Sequence, residues 1–169
     1  MSRDEAISAL FSLNQPQKQS IYAVVRHKAF DQQANVAERR RWLGLTLAML
    51  NNAERSDRLH EQVDIEREKE RISVMYVLGE CEEGMGEISV AKITWNQCLE
   101  HLDRLRKRIL RNQETQEQDS DQVRSWIETW ENKIVIRVVA LATSQGDEVH
   151  AHHLSQRLDR INKSKQQAW

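Results

Sequence analysis

Apolar residues recur along this chain at three- and four-residue intervals nearly from end to end, the period of helices that bury one side. Ser2 and Glu5 make a capping-box pattern ahead of Ala6, Ile7, Leu10 and Phe11, which share one helical face. That helix stops near Asn14, and Pro16 suits the first turn of a second helix with Ile21, Val24, Val25 and Phe30 on its buried side. A third runs from about Val36 to Leu50, with Val36, Leu43, Leu47 and Leu50 on one stripe and a turn at Asn51-Asn52. Leu59 and Val63 carry the stripe on through residues 54–71, whose alternating charges predict a solvated helix face.

A helix over 72–84 follows, broken by Gly84 and Gly86. The next, 88–112, carries Trp95, Cys98, Leu99, Leu102, Leu105 and Ile109 on one side. Residues 112–120 contain no apolar side chain and predict a linker, with Asp119 or Ser120 capping the helix beyond it. Val123, Trp126, Ile127, Trp130, Ile134, Val138 and Leu141 form that helix's stripe. The run from Ile134 to Val139 is strand-like in isolation, but it sits between helical patterns with no turn residue, which predicts a helix. Gly146 is placed as a C-terminal cap and Asp147 as the N-cap of a last helix bearing Val149, Leu154, Leu158 and Ile161. The expected organisation is a divergent helix hairpin or cap over 1–33, a helical domain over 34–165 and a tail over 166–169 in which Trp169 either docks on a neighbour or is disordered.

Composition agrees. Five glycines and one proline in 169 residues, with 30% charged residues, predict an all-helical protein. The net charge is −1, so no overall field favours nucleic acid or a membrane surface. The charge is uneven: residues 51–90 carry five basic and eleven acidic groups, while residues 1–50 carry seven basic and four acidic. Cys81 and Cys98 lack metal-ligand spacing and are expected to be reduced apolar packers. No apolar run approaches the ~20 residues of a membrane span, and the N-terminal residues have no secretory pattern, so the expected compartment is the cytoplasm.

The phasing of small residues adds a second signal. Leu78-Gly79, Gly86, Ala91, Trp95 and Cys98 fall at the positions where a tetratricopeptide (TPR) hairpin has its Leu-Gly pair, second glycine, alanine, aromatic and small residue, so residues 72–105 resemble a TPR repeat. A fainter copy begins at Leu43-Gly44, 35 residues before Gly79, against a TPR period of about 34. There Asn51, Ser56 and His60 replace the turn glycine, the alanine and the aromatic. Residues 132–165 match only through Gly146, Ala151 and Leu158, with Val139 where the first glycine belongs. The resemblance implies a short TPR-like α-solenoid of about eight helices whose first helices line a concave groove. The groove positions it assigns are Arg41, Leu45, Ala48 and Met49, then Tyr76, Glu80 and Glu83, then Lys133, Ile136 and Ala140. Only Arg41 approximates the Lys and Asn pattern with which some TPR domains clamp a C-terminal carboxylate, so that peptide class is not supported. An ordinary helical bundle with incidental glycines is the plain alternative.

Other constellations compete. Glu80, Glu83, Glu100 and Asp103 form E-x-x-E followed by E-x-x-D, the pattern with which all-α nucleoside triphosphate pyrophosphohydrolases hold Mg²⁺. The same spacing recurs at Glu61/Asp64, Glu114/Glu117 and Glu128/Glu131, which lowers its weight. His150 and His153 lie at i, i+3 beside His152, Asp147 and Glu148, and a polar helix face accounts for them better than a metal does. Arg104, Lys107, Arg108 and Arg111 share a basic helix face, and Arg39-Arg40-Arg41 is a second basic cluster. Acidic neighbours and the near-neutral total disfavour nucleic acid without excluding it.

The resulting expectation is a non-catalytic helical adaptor or chaperone-like protein. It binds a protein or peptide partner through Arg41, Leu45, Met49, Tyr76, Glu80, Glu83 and Lys133, with no cofactor, no metal and no membrane contact, and it is compatible with homo-oligomers. The alternatives are the Mg²⁺-dependent pyrophosphohydrolase and a nucleic-acid-associated helical protein.

Overall fold

Asn14 starts the helix Gln15–Ala29 by a reciprocal cap. Its Oδ1 accepts from the Gln17 backbone N–H at 3.0 Å, and the Gln17 side chain accepts from the Asn14 N–H at 3.2 Å. In the computed structural model, which describes residues 2, 4–5, 8–9, 12–56, 61–112 and 117–167, six helices follow in order: α1 Gln15–Ala29, α2 Val36–Ser56, α3 Glu61–Gly84, α4 Ile88–Asn112, α5 Glu117–Ser144 and α6 Glu148–Gln167. There is no strand among the described residues. The chain divides into two units, Met1–Glu87 and Ile88–Trp169. In the first, α2 packs against both α1 and α3. In the second, α5 packs against both α4 and α6.

The all-helical class is as the sequence implies, and several boundaries differ. The segment around Ile134–Val139 is helical, within α5. The capping box of Ser2 and Glu5 is formed, at 2.7 and 3.2 Å, while Ala6, Ile7, Leu10 and Phe11 lie outside the described residues. Asn51-Asn52 is not a turn: α2 runs through it to Ser56. Neither asparagine carries a backbone constraint that stops a helix, and Asn51 accepts a hydrogen bond from Arg71 Nε at 3.0 Å. Residues 61–71 are not a helix separate from 72–84, since α3 spans both. That segment is also not uniformly solvated, because Arg71 and Glu68 are buried and paired with each other. Asp119 and Ser120 do not cap α5, which begins at Glu117; within the polar stretch 112–120, residues 112 and 117–120 are helical and 113–116 lie outside the described residues. Leu59 and Trp169 also lie outside them.

Two turns are built alike. At the end of α3, the Gly86 N–H donates to Glu83 O and the Glu87 N–H to Glu82 O, both at 2.9 Å. At the end of α5, the Gly146 N–H donates to Thr143 O at 3.1 Å and the Asp147 N–H to Ala142 O at 2.9 Å. This is the glycine-terminated helix stop, and Gly86 and Gly146 take φ +80° and +73°, where a side chain is disfavoured. Each turn leads within a residue into the next helix. Asp147 then caps α6 by accepting from the His150 N–H at 3.2 Å.

The first unit's core joins Ala29 of α1, Leu43 and Leu50 of α2, and Val74 and Cys81 of α3, with Tyr22, Phe30, Trp42, Leu47, Val77 and Leu78 packed around them. In the second unit, Trp95, Cys98, Leu99, Leu102, Leu105 and Ile109 on α4 are buried. So are Ile127, Ile134, Val135, Val138 and Leu141 on α5, and Leu154 and Ile161 on α6.

Candidate partner-binding surface

The contacts between α2 and α3 fix their register. Arg71 meets Asn51, and Val36 Cγ1 lies 3.8 Å from where a β-carbon on Gly84 would stand, so the helices run antiparallel. Those pairings bring Arg41 about level with Glu80 and Leu45 about level with Tyr76. Successive helix residues turn by about 100°, so Arg41, Leu45, Ala48 and Met49 fall on the side of α2 away from Leu43 and Leu50. Tyr76, Glu80 and Glu83 likewise fall on the side of α3 away from Val74 and Cys81. Arg41 is exposed, and Leu45, Ala48, Met49, Tyr76, Glu80 and Glu83 are half-buried. The first unit thus carries six of the seven expected binding residues on the two helices of one packed pair. Lys133 belongs to the second unit, on α5, where its Nζ lies 4.8 Å from the centre of the Trp130 ring. Ile136 and Ala140, the other expected groove positions there, are exposed.

Around this pair the charges are largely tied down. Glu70 of α3 accepts from the Tyr22 hydroxyl at 3.0 Å and pairs with Arg26, both on α1. Burial and then the Glu70 carboxylate push the Tyr22 pKa well above its ordinary value, so the hydroxyl keeps its proton and donates it. The hydrogen bond to Glu70 likewise raises the Arg26 pKa. Arg40 bridges to Glu87 at 2.9 Å, and Lys28 lies over the Trp42 ring at 5.2 Å. In the Arg39-Arg40-Arg41 cluster, Arg41 is exposed and Arg39 and Arg40 are half-buried.

The rival constellations fare as follows. Asp103 of the E-x-x-E/E-x-x-D pattern is committed to cations, accepting from Arg106 at 3.1 Å and from Arg157 at 2.8 Å. Among the described residues no group of three or more His, Cys, Asp or Glu side chains could hold a metal ion. His152 is hydrogen-bonded to Gln156 at 3.0 Å, and the His152 and His153 ring centres are 6.4 Å apart. Both cysteines are free thiols and buried, and burial raises the Cys81 pKa.

Sequence reasoning missed a charge cluster in the second unit. Glu131, 3% exposed, lies on the buried side of α5 and accepts from Arg106 of α4 and Arg157 of α6, while Asp103 accepts from Arg106 Nη1 and Arg157 Nη2. The signal was available: Glu131 interrupts the apolar stripe between Ile127 and Ile134. A carboxylate at such a position must be matched by cations from the helices that cover it.

No protein-family model, curated protein or solved structure matches this chain. Among the described residues, no helix is long and apolar enough to cross a membrane.

Proposed function

We propose that this protein is a non-catalytic helical adaptor or chaperone-like protein, TPR-like in its helix pairs, that binds a protein or peptide partner. The observation that carries this reading is the second stripe on the packed pair α2–α3. Leu45, Met49 and Tyr76 give it apolar surface, and Arg41, Glu80 and Glu83 give it charge, all at partial or full exposure and turned away from the core residues Leu43, Leu50, Val74 and Cys81. Partly accessible apolar groups among charges are what an interface needs: area for affinity, charge for selectivity. Tyr76 is the natural anchor, an aromatic body with a polar tip, of the type enriched among binding hot spots. The pyrophosphohydrolase alternative is weakened by the engagement of Asp103 with two guanidinium groups.

The test is comparative. Partners captured on the immobilised chain are identified and their affinities measured against variants. Tyr76→Ala weakens binding by ~1–3 kcal/mol while the helical circular-dichroism spectrum is unchanged. Arg41→Glu acts mainly on association rate and salt dependence. Magnesium- or manganese-dependent turnover of nucleoside triphosphates, lost in Glu83→Gln and in Asp103→Asn, would replace this reading with the hydrolase.

A further inference from the structure

Asp103, the acidic residue nearest in sequence to the basic run of α4, is taken up by Arg106 on its own helix and by Arg157 of α6. It leaves four cations of that run open. Arg104, Lys107, Arg108 and Arg111 are all exposed, and none of their side chains forms an ion pair or hydrogen bond among the described residues. Trp95, Cys98, Leu102, Leu105 and Ile109 commit the opposite side of α4 to the core. At about 100° and 1.5 Å per residue, the four cations share one sector of the helix and a strip about 10 Å long.

Helix stability does not account for the four together. The helix dipole favours a cation in the last turn, which is Arg111, whereas Arg104 and Lys107 lie more than a turn from the end. The unit that bears the strip is positive as a whole: residues 88–169 carry thirteen basic and eleven acidic groups, against twelve and fifteen in residues 1–87. Glu100, exposed one turn before Arg104, bounds the strip at one end, and the acidic residues of 114–121 follow it at the other.

We propose that this strip binds the phosphate backbone of duplex nucleic acid without reading its sequence. Phosphates of one strand recur about every 3.4 Å along the duplex axis, so the strip faces about three of them, and the three guanidiniums offer each phosphate paired donors. The composition of the face selects this anion over others. From Glu100 to Arg111 it holds no apolar side chain, so an acidic protein would find charge there without the apolar centre of an interface. Leu110, though exposed, lies round the helix with Arg124 and Ile127. The face holds no aromatic side chain on which the bases of a single strand would stack. A helix that lies on an anionic bilayer sinks its apolar side into the headgroups, and the apolar side of α4 is buried in the protein. Neither the α2–α3 stripe nor a protein partner enters this binding.

The probe is a fluorescein-labelled mixed-sequence DNA duplex of about 20 base pairs, titrated with the full chain by fluorescence anisotropy from low to physiological salt. The expected result is binding at low salt whose logarithm falls with log salt at a slope of about −3, the mark of three to four phosphate contacts. Arg104→Gln/Lys107→Gln/Arg108→Gln weakens it about tenfold or more and reduces the slope by about 1 for each cation removed. Lys18→Gln, which removes a cation from the other unit, leaves affinity and slope unchanged. The comparison ligands are the single strand of the same sequence, polyglutamate and phosphatidylserine vesicles, each expected to bind more weakly than the duplex. Circular dichroism and melting curves confirm that the variants fold. The proposal is overturned if the duplex does not bind at low salt, if the triple variant binds it with the same affinity and slope, if Lys18→Gln weakens it as much, or if any comparison ligand binds more tightly.

Discussion

Arg157, on the last helix, donates through Nε to the buried carboxylate of Glu131 on α5, and its Nη2 reaches Asp103 on α4 at 2.8 Å. One guanidinium therefore ties together all three helices of the second unit. Arg106 makes the same two connections from α4. The arrangement alternates two cations and two carboxylates, so each charge is met from two sides and the Glu131 carboxylate is matched within an otherwise apolar stripe.

Removing the carboxylate should therefore be costly. Glu131→Ala takes one of two carboxylates from both arginines, leaving Asp103 alone between the two guanidiniums, and destabilises the chain by about 1–3 kcal/mol; partial solvent access to both guanidiniums keeps the loss below that of a fully buried pair. Urea unfolding of the variant measures it. An unchanged midpoint would mean that the network contributes nothing net.

Gly84 and Gly86 are two residues apart and respond oppositely to alanine. A β-carbon on Gly84 would meet Val36 Cγ1 at 3.8 Å, an ordinary contact, on helical backbone. Gly84→Ala is neutral or stabilising, by up to about 1 kcal/mol. Gly86 has open space around it but φ +80°, so Gly86→Ala costs about 1–2 kcal/mol. Melting temperatures moving in the same direction for both would contradict the turn geometry.

Asp147 carries a pH signature. The His150 backbone N–H first, and then Lys92 at 3.2 Å, lower its pKa from the ordinary value. A carboxylate whose pKa is depressed by folding adds stability above its unfolded pKa of about 4, and that contribution disappears as pH falls through the lowered folded value. Asp147→Ala therefore destabilises at neutral pH and converges on the parent protein in acid. Paired denaturant titrations at neutral pH and below pH ~4 read the difference, and a gap that persists in acid would remove the carboxylate from the explanation.

Cys81 and Cys98 are 3% and 0% exposed, and burial raises the Cys81 pKa. Neither thiol should react with an aromatic disulfide reagent in the folded protein, while both react at once in denaturant. Rapid labelling under native conditions would show that one of the two helix packings opens readily.

The sequence alone determined the helical class, the buried stripe of α4 from Trp95 to Ile109, and the caps at Gly146 and Asp147, because periodicity and capping act within a few residues of chain. It also placed Arg41, Leu45 and Met49 on one helix and Tyr76, Glu80 and Glu83 on the next. It did not determine where α2 and α3 end or that 61–84 is a single helix, since a charged run such as 61–71 becomes helix interior only when a neighbour supplies Asn51 to meet Arg71. Nor did it divide the chain between Glu87 and Ile88, inside the span that resembles a TPR hairpin. Pairing decided which charges are held and which are open. Glu131 and Arg157 are 26 residues apart in sequence, and only helix packing brings the guanidinium to the carboxylate. The same packing leaves Arg104, Lys107, Arg108 and Arg111 facing solvent, because the opposite side of α4 is the one that the apolar residues commit to the core.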